Sequence, residues 1–283
     1  MAAAAKTKKT KAKKHPLAGT RMEGAAMVLQ VLADEGVDTI FGYSGGAILP
    51  TYDAVFNFNK GKKEKDHIRL IVPANEQGAG FMAAGYSRAS GRVGVCLVTS
   101  GPGATNCVTP IRDCMADSIP MVLICGQVPR PAIGTDAFQE APIFNIMTSC
   151  AKHVFLVKNE SDLEATMRSA FDIARSGRPG PVVIDLPKDV QQHFGEFKGE
   201  GLLEFRGYDL RKKASEEKKL AKKEATEFFK LLKQSKRPLI YAGGGVIMGD
   251  AAAELRTFIK KFKIPVVTTL MGIGGVDTTD DLA

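Results

Sequence analysis

Glu76 is the residue whose position most invites chemistry. A β-rich run, His67 to Val72, stops at Pro73, and a segment of small residues begins near Glu76. A carboxylate therefore stands where a strand hands over to a helix, the edge at which open α/β sheets bind ligands. There it could share a proton with a partner. Taken alone it reads more simply as an acid favoured by the dipole of a helix N-terminus. Gly78, Ala79, Gly80, Ala83, Ala84 and Gly85 follow, and admit something packed against this helix at very close range. Gly45-Gly46, after another short strand, reads as a tight turn that needs positive φ. Gly101-Pro-Gly103 opens a helix after a strand, but lacks both Gly-Lys-Ser/Thr and Gly-x-Gly-x-x-Gly, so a diphosphate site there is weakly supported. Asp113, Asp117, Asp136 and Asp185 show no metal-ligand spacing, and no metal residue is assigned.

The elements that would position these groups alternate. Helices are expected over 21–35, 47–57, 76–90, 104–116, 143–149 and 161–176. Strands are expected over 38–43, 68–72, 93–99, 120–126, 152–157 and 181–186. Strands apolar on both faces, alternating with helices, indicate an α/β fold with a doubly wound parallel sheet covered on both sides. A long loop, Gln127 to Glu140, interrupts the pattern, and such loops are usually functional. After residue 190 an exit segment, 191–211, reads as a linker with little periodicity. A charged helix over 212–233 then starts a second α/β unit, with a strand at 238–242, Gly243-Gly244-Gly245 at its turn, a helix at 250–262 and a strand at 264–269. Two or three strands do not close a doubly wound sheet, so an incomplete second domain, 212–283, is expected.

Composition excludes some classes. Of the 283 residues, 44% are hydrophobic and 25% charged, as in a globular protein, and no apolar run is long enough to span a bilayer. Lys6, Lys8, Lys9, Lys11, Lys13 and Lys14 carry most of the net charge of +8. Without them 33 basic residues face 31 acidic ones, so no nucleic-acid surface is implied. Residues 1–19 read as a disordered basic tail. Five cysteines, without a Cys-x-x-Cys pair, read as free thiols in a reducing, cytoplasmic setting.

Seven motifs in order resemble the pyrimidine-binding domain of thiamine-diphosphate enzymes, and most closely the large subunit of acetolactate synthase. They are Gly42-Tyr-Ser-Gly-Gly-Ala-Ile-Leu-Pro50, Asn75-Glu-Gln-Gly-Ala79, Thr99-Ser-Gly-Pro-Gly-Ala-Thr-Asn106, Gly126-Gln-Val-Pro129, Gly134-Thr-Asp-Ala-Phe-Gln-Glu140, Ser176-Gly-Arg-Pro-Gly-Pro-Val182 and Asp185-Leu-Pro-Lys-Asp189. The resemblance runs from about Thr20 to the end of the chain. Glu-Gln-Gly alone indicates only the superfamily, whereas the 134–140 motif points to the narrower branch. The family usually has Pro where this chain has Ser44.

The resemblance implies a thiamine-diphosphate pyrimidine-binding domain over 20–190, followed by the start of an FAD-holding central domain. It assigns Glu76 to the carboxylate that hydrogen-bonds the aminopyrimidine, and places Gly45 and Gly46 close to the reacting carbon. Gln139 becomes a donor to a developing oxyanion. Phe138, Pro129 and Ala137 become substrate-channel residues, with Lys188 at the channel entrance. Arg178 is expected to contact FAD, as, on a weaker signal, are Gly243, Gly244 and Gly245. Mg2+ is expected to bind with the diphosphate in a later domain. The implied reaction decarboxylates pyruvate and joins the two-carbon unit to pyruvate or 2-oxobutyrate, for branched-chain amino-acid synthesis. A homodimer or homotetramer with the active site between subunits is implied, and a small regulatory subunit is compatible. Two alternatives stay open: another thiamine-diphosphate 2-oxoacid decarboxylase or oxidase, and a truncated, non-catalytic pyrimidine-domain protein. Family chains are about twice as long, so a fragment is expected.

Overall fold

The computed structural model describes residues 14–216 and 220–283. The chain divides into two compact units between Asp209 and Leu210. In the first, β1 (Arg21–Glu23) is followed by α1 (Gly24–Asp34), β2 (Thr39–Tyr43), α2 (Leu49–Asn59), β3 (Arg69–Ile71) and α3 (Glu76–Ser90). Next come β4 (Gly94–Val98), α4 (Pro102–Thr105), α5 (Val108–Asp117), β5 (Met121–Gln127), α6 (Ile143–Thr148) and β6 (His153–Leu156). The unit ends with α7 (Leu163–Arg175), β7 (Pro181–Pro187), α8 (Lys188–Gln192) and β8 (Phe194–Glu196).

Six strands form one parallel sheet in the order β3-β2-β4-β5-β7-β6. The chain winds outward from β2 to β3, then crosses back to β4 on the other side of β2. The C-terminal ends of β2 and β4 therefore flank a topological switch point, where open α/β sheets place their ligands. Strands β4, β5 and β7 are buried along their whole length. Alternate residues, among them Val95, Leu97, Val122, Ile124, Val182 and Ile184, share one core with α1, α2, α7 and α8. The opposite face is covered by α3, α5 and α6. The close approach foreseen for α3 is made here: a Cβ on Gly80 would lie 2.5 Å from Pro110 of α5, and one on Gly94 would lie 2.2 Å from the Ala83 carbonyl. Phe81, Met82, Gly85 and Ala89 of this helix are exposed.

Several boundaries differ from the sequence expectation for physical reasons. The helix expected over 104–116 is broken into α4 and α5. Pro110 has no N–H to bond the Asn106 carbonyl, so a continuous helix loses a rung there. Arg21–Glu23 is not helical but pairs antiparallel with Phe194–Glu196. The helix starts at Gly24, where a Cβ would meet the Val190 carbonyl at 2.3 Å. The linker over 191–211 is therefore a correction. Gln191 and Phe197 are buried, and Leu203, Phe205 and Tyr208 pack on the first core. The segment's apolar residues, at 194, 197, 202, 203, 205, 208 and 210, keep neither a strand nor a helix period. Of the basic tail, residues 1–13 lie outside the described residues. Residues 14–19 are not a free arm: His15 bonds Asp34 at 3.1 Å and the Gly19 amide donates to the Phe197 carbonyl at 2.8 Å.

The second unit holds α10 (Lys222–Gln234), β9 (Ile240–Ala242), α11 (Gly245–Met248), α12 (Ala252–Phe262) and β10 (Val266–Thr268); a helix over Tyr208–Glu216, α9, crosses the division. Strands β9 and β10 are parallel. Ala242, Ile259, Val266 and Val276 form a small core, and Phe228 and Phe229 of α10 meet Phe258 and Phe262 of α12.

Candidate active site

Four loops meet above the C-terminal ends of β2, β3, β4 and β5. Each is shaped by local chemistry. After β3, the Asn75 side chain accepts the Gly78 amide at 2.8 Å, the N-cap that starts α3 and puts Glu76 in its first turn. The Glu76 carboxylate is half-buried. Its Oε2 accepts the Asn106 side-chain amide at 2.9 Å, and Oε1 lies 3.3 Å from where a Cβ on Gly103 would stand. One oxygen is thus held, and the other faces a position that only glycine leaves clear. Cys107, at the start of α5, points its thiol at the Glu76 carbonyl, 3.5 Å away.

Thr99 connects this carboxylate to the glycine turn after β2. Its hydroxyl accepts the Ala47 amide at 3.3 Å, and its methyl would lie 2.5 Å from a Cβ on Gly45 and 2.7 Å from one on Gly103. The positive φ expected at Gly45 and Gly46 is absent from both. Gly45 is required by packing on Thr99. Gly46 is required by neither backbone nor packing: a Cβ there would meet nothing within 4 Å. Beneath the turn, the Tyr52 hydroxyl donates to the Leu97 carbonyl at 3.1 Å, and burial raises its pKa.

The 134–140 loop closes the other side. Gly101 has φ +49, and a Cβ there would strike the Gln139 carbonyl at 2.3 Å. Phe138 is 89% exposed, and Gln139 is exposed with φ +58. Glu140 folds back under the loop. Its carboxylate accepts the amides of Gly134 and, at 3.1 Å, Ala137. The Gly134 bond, with those from neighbouring amides, holds this carboxyl below the usual glutamate range. Below the loop, Asp185 of β7 is buried. Gln127 donates to it and to the Ala141 carbonyl, both at 3.2 Å. Desolvation pushes the Asp185 pKa up to about 7.

Glu76, Gly45, Gly46 and Gln139 are therefore gathered around Thr99–Gly103. Other expected site residues lie apart. Lys188 opens α8 and lines a cleft of about 540 Å3 with Glu23, Asp53, Asn57 and Gln192; none of Pro129, Ala137 or Phe138 lines it. Pro129 is exposed and Ala137 half-buried in the loop after β5. Arg178 stands before β7, at the opposite edge of the sheet. It donates to Ser118 Oγ at 2.7 Å and to the carbonyls of Met115 and Ala116. In the second unit, Gly243–Gly245 follow β9, and a Cβ on Gly244 would lie 2.9 Å from Met271 Cβ. Asp113 and Asp117 both bind Arg88. Among the described residues no cluster of three or more His, Cys, Asp or Glu could hold a metal ion.

Sequence reasoning missed Asn106, Thr99 and Glu140 as individuals, although each ends or begins a motif. A polar residue closing a motif was the available signal.

Residues 22–148 match the family described as thiamine pyrophosphate enzyme, N-terminal TPP binding domain, and residues 225–283 match its central domain. The chain belongs to the thiamine pyrophosphate enzymes. Within them it is similar to acetolactate synthases: 46% identical over 254 residues to that of Mycobacterium bovis, covering 90% of this chain and 39% of the relative. The isozyme 2 large subunit of Escherichia coli is 41% identical over 256 residues, covering 90% of this chain and 43% of the relative. The mitochondrial catalytic subunit of Saccharomyces cerevisiae is 43% identical over 263 residues, covering 92% and 37%. The chain spans about two fifths of the length of these relatives.

Proposed function

We propose that this chain supplies the pyrimidine-binding domain of an acetolactate synthase, acting on pyruvate with pyruvate or 2-oxobutyrate as acceptor. The products are 2-acetolactate and 2-aceto-2-hydroxybutyrate, and the role is branched-chain amino-acid biosynthesis. The observation that carries the reading is the Glu76 carboxylate at the switch point, with one oxygen held by Asn106 and the other facing the cleared position above Gly103. Gly46 supports the fit for thiamine diphosphate. Among the described residues nothing crowds this position, which leaves room for a bound group there.

Thiamine diphosphate, when bound, supplies a ring carbanion able to add to a 2-oxoacid and take up the electrons released with CO2. Glu76, half-buried in the first turn of α3, would share a proton with a pyrimidine nitrogen of that group. Asn106 fixes which oxygen does so. Gln139 donates from the 134–140 loop to an oxyanion, and Phe138 covers the channel with Pro129 and Ala137. Lys188 draws in the 2-oxoacid anion. Mg2+ binds with the diphosphate through residues outside this chain. FAD is assigned to Arg178, whose exposed side chain keeps donors beyond those given to Ser118, Met115 and Ala116; Gly243–Gly245 of the second unit are a separate FAD assignment on a weaker signal. The exposed Phe81 and Met82 of α3 fit a subunit contact, in a homodimer or homotetramer. No helix among the described residues is long and apolar enough to cross a membrane. The free cysteines, four of them buried, fit the reducing cytoplasm.

The test is acetolactate formation from pyruvate by the protein purified at its native length, beside a Glu76→Gln variant. The variant is expected to lose about 10²–10⁴-fold in kcat while melting at the parent temperature. Undiminished turnover in the variant refutes the role given to Glu76.

A further inference from the structure

We infer that Glu140 is the positioning residue that shapes the Gly134–Glu140 loop, and so presents Phe138 and Gln139 to the substrate. The inference rests on the reading of those two residues as substrate contacts.

Besides Glu140, the loop is tied by Thr135, whose hydroxyl and amide donate to the Ala132 carbonyl at 2.7 and 3.3 Å, before the exposed Phe138–Gln139 stretch. Phe138 is 89% exposed and Gln139 exposed, so apolar burial does not hold their backbone. Gly134, Asp136 and Gln139 all have left-handed backbones, at φ +85, +57 and +58. Two of them are not glycine, and such residues disfavour that conformation without a compensating contact. The compensation converges on one side chain. Glu140 Oε1 accepts the Gly134 amide and Oε2 the Ala137 amide, while the Glu140 amide returns a 2.9 Å bond to the Ala137 carbonyl. The amides of Thr135 and Asp136 also stabilise the ionised carboxylate. Successive amides turned toward one anion form a concave nest, here occupied by the loop's own side chain. Charge-assisted bonds of this kind are the strong ones.

The shape is transmitted inward. With Gly101 pressed against the Gln139 carbonyl, any movement of Gln139 is felt at the start of α4, whose Gly103 and neighbouring Asn106 meet Glu76. A Glu at position 140 thus sets where Gln139 stands relative to the carboxylate.

The experiment is amide hydrogen exchange, followed by mass spectrometry, on the native-length protein and its Glu140→Gln, Glu140→Asp and Phe138→Ala variants, with pyruvate kinetics on the same samples. Glu140→Gln should speed exchange in peptides covering 134–140 about tenfold or more. Peptides covering β5 should exchange as in the parent. Glu140→Asp keeps the charge with a shorter reach and should fall between; it also serves if the Gln variant folds poorly. Phe138→Ala should leave loop protection intact. The loop changes should raise KM for pyruvate more than they lower kcat. Parent-like exchange in both Glu140 variants overturns the proposal, whatever the kinetics. Faster exchange with parental KM and kcat, in Glu140→Gln and Phe138→Ala alike, overturns the placement of substrate at this loop and leaves Glu76 to its own assay.

Discussion

The two edges of the six-stranded sheet are built on opposite principles. At the edge where strands begin, cationic side chains close helix C-termini. Arg178 donates to the carbonyls of Met115 and Ala116 at the end of α5, Lys152 to those of Ile173 and Ser176 at the end of α7, and Arg92 to Gly36 just after α1. Each meets a helix end with the sign its dipole favours. Lys152 is held there although burial lowers its pKa to about 8. At the edge where strands end, the same topology brings helix N-termini and glycine turns. There Glu76 shows an open oxygen, Gly46 stands clear, Gln139 has a left-handed backbone and Asp185 is buried with a raised pKa. At one edge polar groups close helix ends, with Arg178 keeping further donors besides. The other keeps groups that cost stability, as functional sites do.

Asp185 should break this contrast most strongly if it is wrong. Its folded pKa, about 7, lies above the ordinary 3.8. The folded state therefore binds the extra proton, and the stability this contributes is fully present below about pH 4 and lost as pH rises through about 7. Between about pH 5 and pH 8 the loss is roughly 2–3 kcal/mol. Asp185→Asn keeps an acceptor for Gln127 and cannot ionise. Its melting temperature should stay level over that range while the parent's falls, and the variant should be the more stable at pH 8. A variant that tracks the parent across the range removes Asp185 from the costly side of the comparison.

The paired glycines sharpen the contrast within the upper edge. Gly45→Ala drives a methyl group into Thr99 and should cost about 1–3 kcal/mol by denaturant unfolding. Gly46→Ala meets nothing and should change stability by less than about 0.5 kcal/mol, while weakening retention of thiamine diphosphate. Equal losses of stability would show that Gly46 is held for packing after all. The lower edge should show a modest effect. Arg178→Ala removes three bonds at an exposed helix end and should cost about 1 kcal/mol or less, read as a small fall in melting temperature.

Much of the fold was legible before any coordinates. The helix expected over 76–90 matches α3 at both ends, where the structure shows Asn75 capping the N-terminus and Gly91, at φ +71, ending the helix. Strands such as Pro181–Pro187 are legible because burial on both faces leaves an apolar run, here interrupted only by Asp185. The segment after residue 190 was not, because its packing depends on residues far away: Phe194–Glu196 is a strand only because Arg21–Glu23 lies beside it. The same distinction divides the site. Glu76 could be found as a carboxylate at a strand end, but its partner Asn106 lies 30 residues on and was visible only as the last letter of a motif.

What the amino-acid order determined by itself was local: apolar periodicity, the proline that breaks α4 from α5, the caps of α3, and a set of motifs that place the chain in its family. Tertiary structure decided the rest. Strand order put β2 beside β4 and made a switch point there. Contact decided that Gly45 is glycine for Thr99 while Gly46 is free, and burial decided that Asp185 holds its proton near neutral pH. Those properties depend on which atoms approach from elsewhere in the chain. Steric room and desolvation are set by neighbours in space, and periodicity along the chain carries no record of them.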